Sequence, residues 1–388
     1  MDSEQRRPVR QRAVTLHDVA RECGVCAATV SRALKGDTRI SADTTARVTA
    51  AALRLGYDPS LHEAARRMVL SRHGIEMVNH VVALFFPAHF FETAYFSGVY
   101  RGANDVLAAR RFAPLLMHGT GAEMPGDYPI TLPRIFDRGE VDGVLLIEGG
   151  PVTFQRLATH LREATGFGDR PIVSLIWSTP GCSSVVTDDQ HGAYQATRHL
   201  LELGHRHILH YFSPLSDELY LKRLVGMRAA MADCGLDADR HLHYLDFPNG
   251  WHNPATAPLH LTPDGGAWHF PDPTAREALL DYLRAHPEIT AIQPPNDGAA
   301  LHIWYTLRWG GLRVPEDYSL VGFDDSDPIP DANGANMLTT VRLPLQEVGR
   351  QATDLLLRQL HGETTENAHL VLPTELVVRG STAAPRKP

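Results

Sequence analysis

The stretch VTLHDVARECGVCAATVSRALKG, residues 14–36, contains two short amphipathic segments separated by a glycine. Thr15 is followed three residues later by Asp18, a spacing that predicts a helix N-terminus, because a threonine cap and an acid in the first turn both stabilise it. Apolar residues then recur at helical spacing until Gly24, which predicts the end of this helix. The segment therefore begins with one short amphipathic helix.

Two more helices are predicted after this turn. The second spans 29–34, with small polar groups and an arginine on its outer side, and the third runs from a Ser41 cap to Gly56, whose position matches a C-terminal stop. Two short helices joined by a glycine-containing turn, with a third behind them, indicate a helix-turn-helix DNA-binding domain.

The same stretch holds a Cys-x-x-Cys pair, Cys23 and Cys26. A structural zinc site needs four ligands, and no second pair follows at a suitable spacing. A thioredoxin-like redox pair would follow a strand, whereas a helix precedes this one. We therefore predict packing and capping roles for the two cysteines and expect no metal and no cofactor. Four scattered cysteines in 388 residues also favour a reducing compartment over a disulfide framework.

Charge is distributed unevenly along the chain. Residues 1–72 hold 13 Lys and Arg against 8 Asp and Glu, a balance of +5. Since the net charge of the chain is −8, the remaining residues carry a charge of −13. A basic head on an acidic body suggests a polyanion-binding module, with chance variation on a solvated surface as the alternative. Residues 1–13 are a basic arm without an apolar signal segment, and no stretch approaches the roughly 18 apolar residues of a membrane span. We expect a cytoplasmic, nucleoid-associated protein with no membrane partner.

Residues 14–36, together with ISADTTARVTAAALRLGYDP at 40–59, resemble the DNA-binding head of the lactose/galactose repressor (LacI-type) family of bacterial transcriptional regulators. The resemblance implies that the second helix enters the major groove of a double-stranded DNA operator. Arg32 can donate a bidentate pair to guanine, whereas alanines offer only methyl contacts; the alternative for Arg32 is a solvated surface side chain. The implied base-reading positions are Ala27, Ala28 and Arg32, and the positions near the backbone are Thr15, Leu16, Thr29 and Ser31.

The segment 59–78 departs from the family pattern. Family members carry a short hinge helix here, with an alanine at the dimer axis and an apolar wedge three residues later. The nearest counterparts are Ala65, Arg66 and Met68, two residues further from Pro59 than usual. Met68 is expected to wedge into the minor groove and Arg66 to contact phosphate. The alternative is a linker helix whose methionine packs on the body.

From residue 79 onward, short apolar runs alternate with amphipathic stretches, a pattern that predicts βα repeats and buried parallel sheets. The fold class predicted for the whole chain is an N-terminal all-α helix-turn-helix head plus an α/β body of two Rossmann-like parallel-sheet subdomains, which resembles periplasmic binding proteins. The expected boundaries are 14–58 for the head, 59–78 for the hinge, 79–380 for the body and 381–388 for a tail. Crossovers near 187, 319 and 343 are expected to place 79–186 and 319–343 in subdomain one, and 187–318 and 344–380 in subdomain two.

Effector contacts are expected beyond the carboxyl ends of the strands, where open α/β sheets bind ligands. The aromatic candidates, with core packing as the alternative, are Tyr95, Phe96 and Trp177. The charged candidates are Asp189, Arg223 and Asp297, of which Arg223 and Asp297 match family cleft residues and Asp189 lies near the first crossover, where its role can be structural. Residues 241–273 form an unusually long Pro-, His- and Trp-rich segment, in which Trp251, Trp268 and Phe270 are candidates for a lid.

The histidines of the body invite a metal interpretation, but no pair in 241–269 has helix-type ligand spacing beside a cysteine or carboxylate cluster, so no metal site is expected. His205, His207 and His210 are explained by the fold. The sequence carries no Gly-x-Ser-x-Gly elbow, Walker loop or His-Glu-x-x-His motif, which argues against an enzyme. We predict a homodimeric, ligand-responsive repressor of carbohydrate-utilisation genes that binds a palindromic operator and a sugar or sugar derivative. The alternative effector is a nucleobase-like or carboxylate metabolite, acting as a corepressor.

Overall fold

The computed structural model divides the chain into two compact units, residues 1–78 and 79–388. The residues that the structure describes are 14–34, 37, 39–55, 57, 78–86, 94–118, 129–147, 150–212, 218–246, 259–261, 267–269, 273–364 and 367–386. The basic arm and the hinge candidates Ala65, Arg66 and Met68 lie outside them. Among the described residues, no helix has the length and apolar character needed to cross a membrane.

The described residues of the first unit form three helices, α1 (Leu16–Cys23), α2 (Ala27–Leu34) and α3 (Ala42–Leu55). The predicted start of α1 is confirmed, because Thr15 and Asp18 form a capping box, and Gly24 ends the helix in the left-handed conformation with φ 63°. Helix α2 begins two residues before the prediction. The carbonyl of Cys26 accepts hydrogen bonds from the backbone N–H groups of Thr29 (2.9 Å) and Val30 (3.1 Å), which extends the helix to Ala27.

A small apolar core holds the three helices together. One valine from each helix is completely buried, namely Val19, Val30 and Val48. Cys23 belongs to the same cluster and is also buried, whereas Cys26 is exposed at the start of α2. Neither of the two cysteines forms a disulfide.

The second unit is built on two six-stranded sheets, counted among the described residues. The first sheet has the order β13-β5-β4-β3-β1-β2, and all five of its strand pairs are parallel. Its strands are β1 (Val81–Phe85), β2 (Ala113–Met117), β3 (Gly143–Ile147), β4 (Ile172–Leu175), β5 (Ser183–Thr187) and β13 (His369–Leu372). These strands confirm the buried parallel sheet that the apolar runs after residue 79 predicted.

The second sheet has the order β14-β12-β11-β10-β6-β7 and is parallel except for β14. Its strands are β6 (Ile208–Phe212), β7 (Leu242–Asp246), β10 (Ala291–Ile292), β11 (Ser319–Asp324), β12 (Thr339–Arg342) and β14 (Glu375–Val377). Within the long 241–273 segment, β8 (Leu259–Leu261) and β9 (Ala267–His269) form an antiparallel pair. Of the lid candidates, Trp268 lies in β9, and Trp251 and Phe270 lie outside the described residues.

Helices cover the sheets. They are α4 (Ala94–Ala109), α5 (Arg134–Asp137), α6 (Gly150–Ala164), α7 (Asp189–Glu202), α8 (Glu218–Asp233), α9 (Ala238–His241), α10 (Pro273–Ala285), α11 (Asp297–Trp309) and α12 (Leu345–Leu360). Glycines allow two helix pairs to approach closely. A Cβ on Gly226 would lie 2.0 Å from the Gln190 carbonyl oxygen, between α8 and α7, and one on Gly349 would lie 2.1 Å from the Val99 carbonyl oxygen, between α12 and α4.

The subdivision of the body expected from the sequence is wrong in its second half. Segment 319–343 contributes β11 and β12 to the second sheet, because Ser319 of β11 pairs in parallel with Ala291 of β10. Within segment 344–380, α12 packs on α4, and β13 pairs with β5 in the first sheet. The chain thus crosses between the sheets after β5, between β12 and α12, and between β13 and β14, and the crossover expected near 319 does not exist.

Candidate functional site

The carboxyl ends of the second sheet bring buried charges together around Arg223, which is 4% exposed on α8. Its Nε donates to Asp189 Oδ1 at 2.9 Å, and its Nη2 lies 2.8 Å from the same oxygen. Nη1 donates to the carbonyl oxygen of Pro295, in the loop after β10. Asp189 is the first residue of α7, directly after the crossing from the first sheet, so this ion pair ties the crossing to the second sheet.

Asp324 ends β11 beside this pair. Its Oδ1 lies 3.6 Å from Arg223 Nη2, which is within ion-pair range but too long for a hydrogen bond, and no hydrogen-bond partner for that oxygen is found among the described residues. Burial raises the pKa of Asp324 well above its ordinary value, and the negative charges of Asp297 and Asp189 add to this while Arg223 opposes it. Its φ of 112° is unusual for a residue with a side chain and marks a position held by its surroundings.

Aromatic rings frame the guanidinium. Arg223 Cζ lies 3.7 Å from the centroid of the Phe323 ring and 5.6 Å from that of Tyr220. Burial alone would lower the pKa of Arg223, but Asp189 and Asp324 more than offset that effect and leave the pKa above its ordinary value. The guanidinium is therefore permanently charged, and its donors are directed at neighbours within the protein.

Asp297 lies close to this group but is completely buried at the start of α11. Its Oδ1 accepts a hydrogen bond from Thr340 Oγ1 (2.5 Å) and its Oδ2 accepts one from the Ser326 N–H (2.9 Å). Burial raises the pKa of Asp297 to about 7, against the lowering effect of these two hydrogen bonds. The carboxyl group therefore links the loop after β11 to β12 and holds the two segments in position.

The aromatic candidates occupy different places. Tyr95, from α4 of the first sheet, packs against the apolar cluster that contains Phe323 of the second sheet, so it reaches the surroundings of Arg223. Phe96 is 2% exposed and packs edge-to-face against Phe86, which directly follows β1 of the first sheet. Trp177, two residues after β4, is buried, and its indole Nε1 has no hydrogen-bond partner in the part of the chain that the structure describes.

In the head, the outer side of α2 presents the predicted base-reading residues. Arg32 and Ala28 are exposed, and Thr29 and Ser31 are half-buried beside them. Leu16 and Ala27 pack partly against the head core, and Thr15 is engaged in its capping box. The charged guanidinium of Arg32 is thus exposed on the outer side of α2.

Sequence reasoning singled out Arg223 and Asp189 but missed Asp324 and Phe323. The signal was present in SLVGFDD, residues 319–325, where a buried strand ends in two acids. An acid at the carboxyl end of a parallel strand lies where ligands bind, so the motif itself was sufficient to nominate Asp324.

The chain is similar to known proteins over nearly its full length. Residues 15–60 match the model described as "Bacterial regulatory proteins, lacI family", and residues 197–382 match "Periplasmic binding protein-like domain". The regulator CelR of Thermobifida fusca is 33% identical over 385 residues, which cover 96% of this chain and 99% of CelR.

Two solved structures of regulators are also similar to this chain. The CelR–cellobiose complex has a TM-score of 0.58 and 29% identity over 95% of this chain and 99% of that one. A LacI family regulator from Enterococcus faecium with bound ribose has a TM-score of 0.59 and 25% identity over 78% of this chain and 99% of that one. With its helix-turn-helix head and its two-sheet body, this chain belongs to the LacI family of bacterial transcriptional regulators.

Proposed function

We propose that this protein is a dimeric, carbohydrate-responsive repressor whose effector binds at the carboxyl ends of the two sheets and alters its affinity for a palindromic operator. The observation that carries the effector site is the group formed by Arg223, Asp189 and Asp324. A buried carboxylate oxygen without a hydrogen-bond partner among the described residues is costly, and a ligand hydroxyl would remove that cost.

The charge distribution favours a polyhydroxylated neutral ligand. Arg223 already faces Asp189, Asp324 and the Pro295 carbonyl, so it offers no uncompensated positive charge to a carboxylate effector. Asp324 offers an acceptor, which suits a hydroxyl donor. The known ligands of the two similar structures, cellobiose and ribose, are sugars. We therefore favour a sugar over a nucleobase-like or carboxylate metabolite.

The remaining assignments follow from the family. A dimer is proposed because one head covers one half-site, and a two-fold protein matches a palindromic operator. We propose no enzymatic activity and a cytoplasmic, nucleoid-associated location. Effector and operator are coupled reciprocally, typically by about 1–3 kcal/mol, so the sugar shifts operator affinity rather than abolishing it.

The DNA-binding part is tested with an operator selected from a random duplex library, titrated against the full chain by fluorescence anisotropy. We expect Arg32→Ala to lose about 1–3 kcal/mol of discrimination at one base pair of each half-site. Arg54→Ala is the matched control, because Arg54 is an exposed arginine of the same head on α3, ion-paired with Glu22. Equal base preference in the wild type and Arg32→Ala would contradict the assignment.

The effector part uses the same operator complex, challenged with cellobiose, ribose, other mono- and disaccharides, sugar acids and nucleobases. The proposal expects one sugar to shift operator affinity at saturating concentration. A response confined to nucleobases or carboxylates would contradict the carbohydrate assignment while leaving the DNA-binding result standing.

A further inference from the structure

Histidines gather at the amino ends of the second sheet, opposite to Arg223. His207 directly precedes β6, His243 is the second residue of β7, and Glu288 lies in the turn between α10 and β10. Nδ1 of His207 lies 3.0 Å from Nε2 of His243. One ligand atom from each of these two histidines and from Glu288 lies within 4.8 Å of the other two.

Sheet register explains why these residues meet. Strands β6 and β7 are parallel, with Ile208 opposite Leu242 and Leu209 opposite His243. His207, directly before β6, and His243, on the edge strand β7, are therefore neighbours, although 36 positions separate them in the sequence. The turn that carries Glu288 leads into β10, the neighbour of β6 on its other side.

The donor set suits a borderline divalent ion. Imidazole nitrogens and a carboxylate oxygen are the ligands that zinc takes, at about 2.0–2.2 Å. Two nitrogens bound to one tetrahedral ion at that distance are about 3.3 Å apart, close to the 3.0 Å between the two rings.

Two further histidines surround the three ligands. His286 Nδ1 lies 3.1 Å from Glu288 Oε1, a contact that orients the carboxylate as outer partners do in metal sites. The centroid of the His241 ring lies 4.7 Å from that of the His207 ring. The buried Nδ1 of His241 has no hydrogen-bond partner among the described residues. The cluster thus holds one unused imidazole nitrogen beside the candidate ligands.

We propose that His207, His243 and Glu288 form a site for one divalent transition-metal ion of the zinc class, with His286 positioning Glu288. Three protein ligands leave a coordination position for water, since Glu288 is exposed. The ion would tie β6, β7 and the turn before β10 together at the end of the sheet opposite the proposed effector site. The inference does not depend on the identity of the effector.

The test is a calorimetric titration of Zn²⁺ into full-length protein that has been freed of metal by a chelator. We expect one equivalent of saturable binding per chain, and a Co²⁺ derivative with the intense visible absorption of four-coordinate cobalt. His207→Gln and His243→Gln are each expected to remove this equivalent. His286→Gln should weaken it about tenfold to a hundredfold, as the loss of an outer-shell partner does.

Two controls keep the test independent of folding. His361→Gln replaces an exposed histidine at the end of α12, away from the cluster, and should bind Zn²⁺ as the wild type does. Glu288→Gln removes an exposed carboxylate and should weaken binding while the near-ultraviolet circular dichroism stays unchanged. The absence of saturable binding to the wild type would overturn the site, as would binding that survives both His207→Gln and His243→Gln.

Discussion

The two ends of the second sheet carry polar groups of opposite character. At the carboxyl ends, Arg223, Asp189 and Asp324 are nearly inaccessible to solvent and form one buried ion-paired group. At the amino ends, the imidazole rings of His207 and His243 are only half-buried. Buried charges that depend on one another are part of the fold, whereas half-buried imidazole rings can be replaced without unfolding it. A ligand at the first end must therefore fit an existing charge arrangement, and a ligand at the second end can be added or withdrawn.

The largest expected effect is that of Arg223→Met. Removing the guanidinium leaves Asp189 and Asp324 buried together without compensation, and breaking a buried pair in this way costs about 3–5 kcal/mol. Urea unfolding should show a loss of that size. Arg228→Met is the matched control on the same helix α8, because its ion pair with Asp239 is largely exposed and is expected to contribute less than about 1 kcal/mol. Equal losses for the two variants would mean that the buried group is not coupled to the fold.

Asp297→Asn tests the same end of the sheet through the pH dependence of the free energy of unfolding. Because burial raises the Asp297 pKa from 3.8 to about 7, the folded protein holds a proton that the unfolded chain releases. The stability contributed by Asp297 therefore falls as pH rises between these values, with a slope of up to about 1.4 kcal/mol per pH unit. The asparagine cannot ionise, so its free energy of unfolding relative to the wild type should increase across this window.

The quantity to compare is the difference in free energy of unfolding between the wild type and Asp297→Asn at each pH, because other groups also make the stability of each protein depend on pH. Burial lowers the His210 pKa to about 4, which makes stability rise with pH up to the ordinary histidine value of 6.5 and opposes the Asp297 slope. The His210 effect is common to both proteins and cancels in the difference. A difference that stays constant from pH 4 to 7.5 would show that Asp297 is ionised throughout.

The smallest effect is expected at the opposite end. In metal-free protein, His243→Gln removes one half-buried contact with His207, a hydrogen bond of the kind that contributes about 0.5–1.5 kcal/mol. Thermal unfolding should show a correspondingly small loss, and added Zn²⁺ should stabilise the wild type but not the variant. A loss as large as that of Arg223→Met would remove the contrast between the two ends.

The head was predictable because its signals are local. Thr15, Asp18 and Gly24 lie within ten residues of one another and fix both ends of α1 through backbone hydrogen bonds. Only the start of α2 was misplaced. The helix already begins at Ala27, because the carbonyl oxygen of Cys26 accepts hydrogen bonds from the N–H groups of Thr29 and Val30.

The body was predictable only in part, because its decisive contacts are long-range. Apolar runs predicted the buried strands, but the sequence of 319–343 does not indicate which sheet this segment joins. The sheet is determined by the long-range pairing of Ser319 with Ala291. The histidine cluster was missed for the same reason. A search for ligands at helical spacing cannot find His207 and His243, which a parallel register brings together from separate strands.

The central claim is that the unsatisfied Asp324 oxygen binds the effector, and Asp324→Asn tests it most directly. The amide preserves the shape of the side chain and cannot ionise. Because burial already raises the pKa of Asp324 well above its ordinary value, folding and operator affinity should be retained. The account predicts that the variant binds operator like the wild type but needs about tenfold more sugar for the same response. A ligand hydroxyl that donates to Asp324 favours its ionised form, and the amide cannot accept such a charge-assisted hydrogen bond, which contributes about 1.5–3 kcal/mol. An unchanged sugar response in a stable, operator-binding Asp324→Asn protein would contradict it.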